Sequence, residues 1–380
     1  MNKSVLPSAW LQASLGDICT FEYGKTLKSD DRVAEGQYPV FGSNGVIDYH
    51  NQYFVEAPFI IVGRKGSAGK ITLSMDNGFP IDTTFYIKCD EKKICTRFLY
   101  ELLVVLKLEN IVVAAGVPGL NRNIAYQEKV ILPPLPEQKA IAKTLQTWDT
   151  AIEKTEALIA AKERQFDWLC QQYFTPNSAI ASSWEHHRIG DFVKQRKEKT
   201  IPSKNVPLYS LTIEDGVTEK TDRYNREFLV KDKGNKTYKV VHPKDIVFNP
   251  ANLRWGAIAR SEKSHKVAIS PIYEVFEVLE GEIDGDFLTF ALTCKRQIGV
   301  FATKTEGTLI ERMAVKADIF ELCEIIAPPS REEQKRIAET LNATKKEIDL
   351  LKSLVGHYRT QKRSLMQTLL TGKQKVKSND

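Results

Sequence analysis

The sequence predicts an α+β protein. Two globular regions with mixed or antiparallel sheets are separated by two long helices, packed as an antiparallel coiled coil in a pseudo-twofold arrangement. Three observations predict it. First, PPLPEQKAIAKTLQTWDTAIEKTEALIAAKERQFDWLCQQYF near the middle recurs as PPSREEQKRIAETLNATKKEIDLLKSLVGHYRTQKRSLMQTLL near the end. Laid on each other at Glu137-Gln138-Lys139 and Glu333-Gln334-Lys335, the copies stay in register without a gap to Phe174 and Leu370. Second, each copy carries an apolar heptad seam. Third, the stretch before each copy breaks into short strand-like strings punctuated by turns. A repeat this far apart is no solenoid, whose period is about 20–50 residues, so the chain is two similar halves joined head to tail. The halves also open alike. Trp10 precedes Leu15-Gly16-Asp17 by five residues, and Trp184 precedes Ile189-Gly190-Asp191 by five. The implied segments are residues 1–132, 133–176, 177–326 and 327–380: variable region, helix, variable region, helix.

Steps alternating four and three from Ile141 meet Ile141, Leu145, Trp148, Ile152, Ile159, Phe166 and Leu169. The same steps from Ile337 meet Ile337, Leu341, Ile348, Leu351, Val355, Leu365 and Leu369. Apolar residues sustained at this spacing over more than four heptads predict coiled-coil packing. Pro133, Pro134 and Pro136 precede or open the first helix, and Pro328 and Pro329 precede the second, positions where a missing N–H costs nothing. Pro176 ends the first helix and Gly372 caps the second. A helix of about 38 residues is roughly 57 Å long and cannot bury its own seam. Its partner is the other helix or a second copy of the chain. Pairing the two helices antiparallel relates the halves by a pseudo-twofold axis.

In the first variable region the strand-like strings are YPVFGSNG, FIIVGRKGSAGKITL and FPIDTTFYIKC, followed by a helical stretch over 97–108. The second repeats the plan more loosely. DIVFNPANLRWGAIAR stands for FIIVGRKGSAGKITL, PIYEVFEVL for FPIDTTFYIKC, and DGDFLTFALTCKRQ for the helical stretch. Polar and basic residues gather beside glycine in the turns. In the first region these are Ser43, Asn44, Arg64, Lys65, Ser67, Lys70, Asn121, Arg122 and Asn123. In the second they are Asn249, Asn252, Arg254, Lys304, Thr305 and Thr308. Arg, Lys and Asn read base edges bidentately, and Gly lets backbone approach phosphate closely. A solvated turn is the competing reading of each residue taken singly.

Composition narrows the classes. The chain of 380 residues has a formal net charge of +6. Residues 1–132 carry 14 basic and 14 acidic side chains, and residues 184–326 carry 23 and 22. Nucleic-acid binding must therefore come from a local basic face. Neither an 18-residue apolar run nor an apolar signal core occurs. Six cysteines without metal spacing fit free thiols in a reducing cytoplasm. GRKGSAGKI fails as a phosphate loop, because Gly63 and Gly69 are six apart where five is required and Ile71 stands where Ser or Thr must hold magnesium. Phe248-Asn249-Pro250-Ala251 lacks the second proline and the aromatic of an amino-methyltransferase motif. With no other catalytic signature present, two readings stay open: a DNA-reading subunit, or a coiled-coil scaffold with protein-binding ends.

The architecture resembles the specificity subunit of type I restriction-modification systems. ILPPLPEQKAIAKTL at 131–145 and IIAPPSREEQKRIAETL at 325–341 carry the resemblance, with the two openings and the strings YPVFGSNG, IVGRKGSAGK, IDTTFY and PGLNRN. It implies a non-catalytic chain in which each variable region is a target recognition domain reading one half of a bipartite DNA site. The helices would set the spacer and dock two modification subunits, and restriction subunits would join that core. It also implies that this chain holds no cofactor, with S-adenosylmethionine, ATP and Mg in the partner subunits.

Overall fold

The computed structural model describes residues 9–111, 119–219, 237–306 and 313–375. The chain divides into two compact units, Met1–Ala157 with Ser353–Asp380, and Leu158–Lys352. Each unit therefore takes part of both long helices, Leu135–Phe174 and Arg331–Leu369.

The first unit opens with β1 (Leu11–Ser14), which pairs antiparallel with β9 (Lys129–Leu132) at the doorway of the first long helix. A four-stranded antiparallel sheet follows, in the order β2 (Thr20–Tyr23), β8 (Thr84–Lys88), β5 (Phe59–Gly63), β6 (Ile71–Ser74). A smaller sheet sets β3 (Tyr38–Gly42) between β4 (Gly45–His50) and a short parallel neighbour, β7 (Phe79–Pro80). A helix, Thr96–Leu106, buries Phe98, Leu99, Leu102 and Leu103. They join Phe21, Ile60, Val62 and Phe85 of the four-stranded sheet in one core.

The second unit uses the same frame. β10 (Glu185–Arg188) pairs with β20 (Glu324–Ala327) at the doorway of the second long helix. The four-stranded order is β11 (Val193–Gln195), β19 (Glu274–Val278), β16 (Ile246–Phe248), β17 (Ile258–Arg260). Each strand thus occupies the place its counterpart holds in the first unit, and the string-by-string correspondence of the two halves becomes a correspondence of sheet positions. The additions differ: a three-stranded sheet of β12 (Lys199–Thr200), β15 (Tyr238–Val241) and β18 (Val267–Ile269), and a hairpin of β13 (Tyr209–Thr212) and β14 (Gly216–Glu219). DGDFLTFALTCKRQ forms two helices, Gly285–Thr293 and Lys295–Thr303, because Cys294 adopts extended backbone between them.

The repeated residues do equivalent work. Asp17 accepts the backbone N–H of Ser14, and Asp191 that of Arg188, so each closes the end of an opening strand. Gln138 and Gln334 are buried amides at the starts of the long helices. Gln138 accepts the N–H of Cys95 at 2.9 Å and donates to the carbonyls of Lys93 and Pro133. Gln334 accepts the N–H of Asp284 at 2.9 Å and donates to the carbonyl of Pro328. In both units one side chain thus fastens the start of a long helix to the N-terminus of a domain helix, satisfying backbone groups that are expensive to bury alone.

Within each unit the two helices run antiparallel. In the first, Trp148 meets Tyr358 edge-on at 5.7 Å between ring centres, Glu156 pairs with Arg359, and Asp149 pairs with Lys362. In the second, Lys162 pairs with Glu347 at 2.8 Å and Glu163 with Lys352 at 2.7 Å. All fourteen seam residues named above are buried or half-buried. The seam also does more than pair helices. Ile141, Leu145 and Leu369 lie in the core of the first unit, and Ile337 and Leu341 in that of the second, with Phe166 and Leu169 packed against the latter.

Magnitudes separate the ion pairs. Glu101 is fully buried (0% exposed side chain), 2.8 Å from Arg97 and 3.3 Å from Lys362, and both cations also pair with Asp149. Removing Lys362 leaves a buried anion short of its countercharge, which costs about 3 kcal/mol or more. Glu163–Lys352 is half exposed and is worth about 0–1 kcal/mol. In urea denaturation, Lys362→Met is expected to destabilise the first unit by about 3 kcal/mol, while Lys352→Met changes the second by less than 1 kcal/mol. Equal effects would dissolve the distinction. Gln138→Ala removes the partner of three backbone groups, of which the bond to the Pro133 carbonyl is buried and the other two part-buried, and is expected to cost about 1–3 kcal/mol. The denaturation curve should then split, with the first unit melting ahead of the second.

Candidate nucleic-acid interface

In the first unit the predicted residues converge from three segments. The turn between β3 and β4 brings Ser43 and Asn44, the turn between β5 and β6 brings Arg64, Lys65, Ser67 and Lys70, and the short helix Arg122–Ala125 with its cap brings Asn121, Arg122 and Asn123. Lys70 Nζ donates to Asn44 Oδ1 at 2.6 Å and to its carbonyl at 3.1 Å, joining the first two turns. The Leu120 N–H donates to the Arg64 carbonyl at 2.9 Å, and Lys65 forms a bridge with Gly119, joining the second and third. Glycine makes the approach possible. A Cβ on Gly63 would lie 2.1 Å from the carbonyl oxygen of Ser67 and 2.9 Å from that of Ser43. Gly69 has φ +85°, and a Cβ there would meet the backbone of Glu109 at 2.3 Å.

Several of these groups already have partners inside the fold. Ser43 Oγ donates to the Thr83 carbonyl at 2.6 Å, and Asn121 accepts the Asn123 N–H at 2.9 Å as a helix cap. Arg64 donates through Nε and Nη2 to the Asp82 carbonyl at 3.0 and 2.5 Å, and Arg122 Nη1 donates to the Phe21 carbonyl at 3.0 Å. Each guanidinium uses only part of its five-donor fork this way. Lys65, Ser67 and Asn123 are exposed. Tyr23, at the end of β2, was not among the residues singled out from sequence. The residue is 51% exposed, with the Arg64 guanidinium 5.3 Å and the Arg122 guanidinium 4.8 Å from the centre of its ring.

The second unit places its candidates at the corresponding edge. The loop from β16 to β17 carries Asn249, Asn252 and Arg254. Asn249 Oδ1 accepts the Ala251 N–H at 3.1 Å, and Leu253–Trp255 makes one 3-10 turn ended by Gly256 at φ +89°. Arg254 lies 5.3 Å from the ring centre of Trp255, a residue that is 65% exposed. Lys304 and Thr305 end the helix Lys295–Thr303, where Thr305 Oγ1 donates to the Ala302 carbonyl at 3.1 Å. Glu306 then pairs with Ala314, and the Val315 N–H reaches the Pro250 carbonyl at 3.0 Å. That is the counterpart of the Leu120–Arg64 bond. Thr308 lies outside the described residues.

Among the described residues no group of His, Cys, Asp and Glu could hold a metal ion, and no helix is long and apolar enough to cross a membrane. Burial pushes the thiols of Cys19 and Cys170 up to about 12, which makes them poor nucleophiles. What the two edges offer is hydrogen-bond donors, positive charge and exposed aromatic faces: the chemistry of a nucleic-acid surface.

Comparison with known proteins agrees. The sequence model of the family described as the type I restriction modification DNA specificity domain matches residues 7–162 and again 181–354. The chain belongs to this family and carries its domain twice. It is 26% identical to the type I restriction enzyme MjaVIII specificity subunit of Methanocaldococcus jannaschii, over 98% of this chain and 95% of that protein. Its fold is similar to that of the type I restriction-modification S subunit from M. genitalium, with a TM-score of 0.66 at 15% identity over 97% of both chains. It is also similar to a chain in a structure on complex assembly of the type I R-M system, with a TM-score of 0.57 at 14% identity, covering 97% of this chain and 100% of that one.

Proposed function

We propose that the chain is the DNA-reading specificity subunit of a type I restriction-modification complex and does no chemistry itself. Each unit is a target recognition domain that reads one half of a bipartite site in double-stranded DNA. The observation that carries this reading is one sheet order used twice with different loops hung at the same edge, each holding an arginine beside an exposed aromatic ring. A constant frame with variable edges is what two different half-sites require. The paired helices set the unread spacer and dock two modification subunits, which supply S-adenosylmethionine and methylate the DNA. Restriction subunits, using ATP and Mg, complete the complex. Purified with its modification subunits, the chain should retard a duplex with the split site, with an affinity that falls as salt rises. Failure to enrich any duplex from a genomic library overturns the reading.

Arg64→Ala and Arg122→Ala are expected to weaken or relax recognition of the first half-site only, by about 1–3 kcal/mol for a bidentate base contact. Arg254→Ala is expected to do the same at the second. Competition binding against duplexes altered in one half decides it, and equal loss in both halves contradicts the assignment.

The spacer is testable in the helices. Residues 175–183 are unsuited to insertion, because Ala181 is buried in the core of the second unit beside Phe174 and Trp184. Adding one heptad to each long helix, after Ala157 and after Lys352, preserves the antiparallel register and adds about 10 Å. At 3.4 Å per base pair, the methylation map of the host should show a spacer longer by about three base pairs. A heptad in one helix alone breaks the pairing and should abolish activity.

A further inference from the structure

The arginines of the first unit pose a physical problem that the domain reading leaves open. Arg64 and Arg122 are separated in sequence and carry like charges, yet both are held at one ring, Tyr23. Cations collect there because the aromatic face is negative. The ring is itself fixed from below, where Phe85 packs against it at 5.1 Å between centres. Arg64 also lies 6.0 Å from the Phe85 ring. Carbonyl acceptors at Asp82 and Phe21 hold each guanidinium from one side only.

We propose that Tyr23 is a specificity-determining positioning residue of the first unit: it orders the Arg64 and Arg122 guanidinium groups, before DNA arrives, in planes suited to bidentate base contact. This rests on the DNA-reading assignment above and deepens it. Long side chains lose rotamer freedom when they bind, and a contact ordered beforehand does not incur that loss. Phosphate attraction needs only the charge, which Tyr23 does not supply. Base discrimination needs the planes. Removing the ring should therefore leave general DNA affinity intact and loosen discrimination at one half-site. In the second unit Arg254 lies over the Trp255 ring. That unit's discrimination supplies an internal control.

The experiment uses the complex with its modification subunits and compares Tyr23→Leu, which keeps apolar bulk, with Tyr23→Phe, which keeps the ring. The ratio of affinities for the cognate first half-site and its single-base variants should fall roughly ten-fold in Tyr23→Leu, the size expected for ordering two side chains. It should be unchanged in Tyr23→Phe, with the second half-site and the salt slope unaltered in both. A Tyr23→Leu complex that discriminates as well as wild type overturns the proposal, and so does loss at both half-sites. A wild-type complex that prefers no sequence overturns the DNA reading instead. The free chain gives a second readout. Ring currents should shift two arginine Nε–H resonances in wild type and Tyr23→Phe and release them in Tyr23→Leu. Unshifted resonances in wild type overturn the stack however the variants behave.

Discussion

An apolar seam that runs the length of a 40-residue helix must be covered, and the rest of the structure follows from how it is. Water cannot cover it, and a helix cannot turn back on itself. The chain supplies a second helix of 39 residues with the same seam, set antiparallel within each unit. The seam then continues into the domains. Leu145 and Leu369 share a core with Phe98 and Leu99, and Leu341 shares one with Phe287 and Leu288. Domain and helix therefore form one packed body within each unit. The buried amides of Gln138 and Gln334 reinforce this joint, since a hydrogen-bonded clamp has a direction that apolar packing lacks.

A frame fixed this firmly leaves its far edges free to vary. The four-stranded sheets match in order, yet the turns they display share no sequence. The β5–β6 turn is a tight glycine loop, while the β16–β17 loop carries a 3-10 turn. A backbone bond to the neighbouring segment, Leu120 to Arg64 or Val315 to Pro250, holds each loop in place without specifying its side chains. Loops held by their own backbone can exchange side chains at little cost to stability, which is what divergence in target sequence demands.

The long helices were legible in the sequence because their signal is local and periodic: Ile141, Leu145 and Trp148 announce a face by spacing alone. The internal repeat let DIVFN be laid on FIIVG and so matched strings between the halves, but it did not give the order of strands in the sheet. The convergence of Ser43, Arg64 and Asn121 was not legible, because it depends on contacts between distant segments. Tyr23 was missed for a related reason. In FEY, alternation puts Phe21 and Tyr23 on one face and suggests that both are buried. The strand ends at Tyr23, however, so its ring emerges beyond the core and becomes a platform. The Gln138 clamp left a trace in the repeated Glu-Gln-Lys, but its partner at Cys95 belongs to another helix and leaves none.

Charge shows why placement matters more here than amount. The first variable region carries as many acidic as basic side chains, so attraction to DNA cannot come from its total. Glu101 and Arg97 are spent within the fold, paired with each other and with Lys362 and Asp149 of the long helices. Among the candidate residues, the basic groups at the loop edge are a small set: Lys65 and Lys70, both exposed, and two guanidinium groups on a tyrosine face. A small set of charges yields weak sequence-independent attraction. Such an edge relies on geometry for its selectivity, and geometry at arginine is set by whatever holds the guanidinium plane. That dependence makes a neutral, half-exposed ring as consequential as the charges it carries.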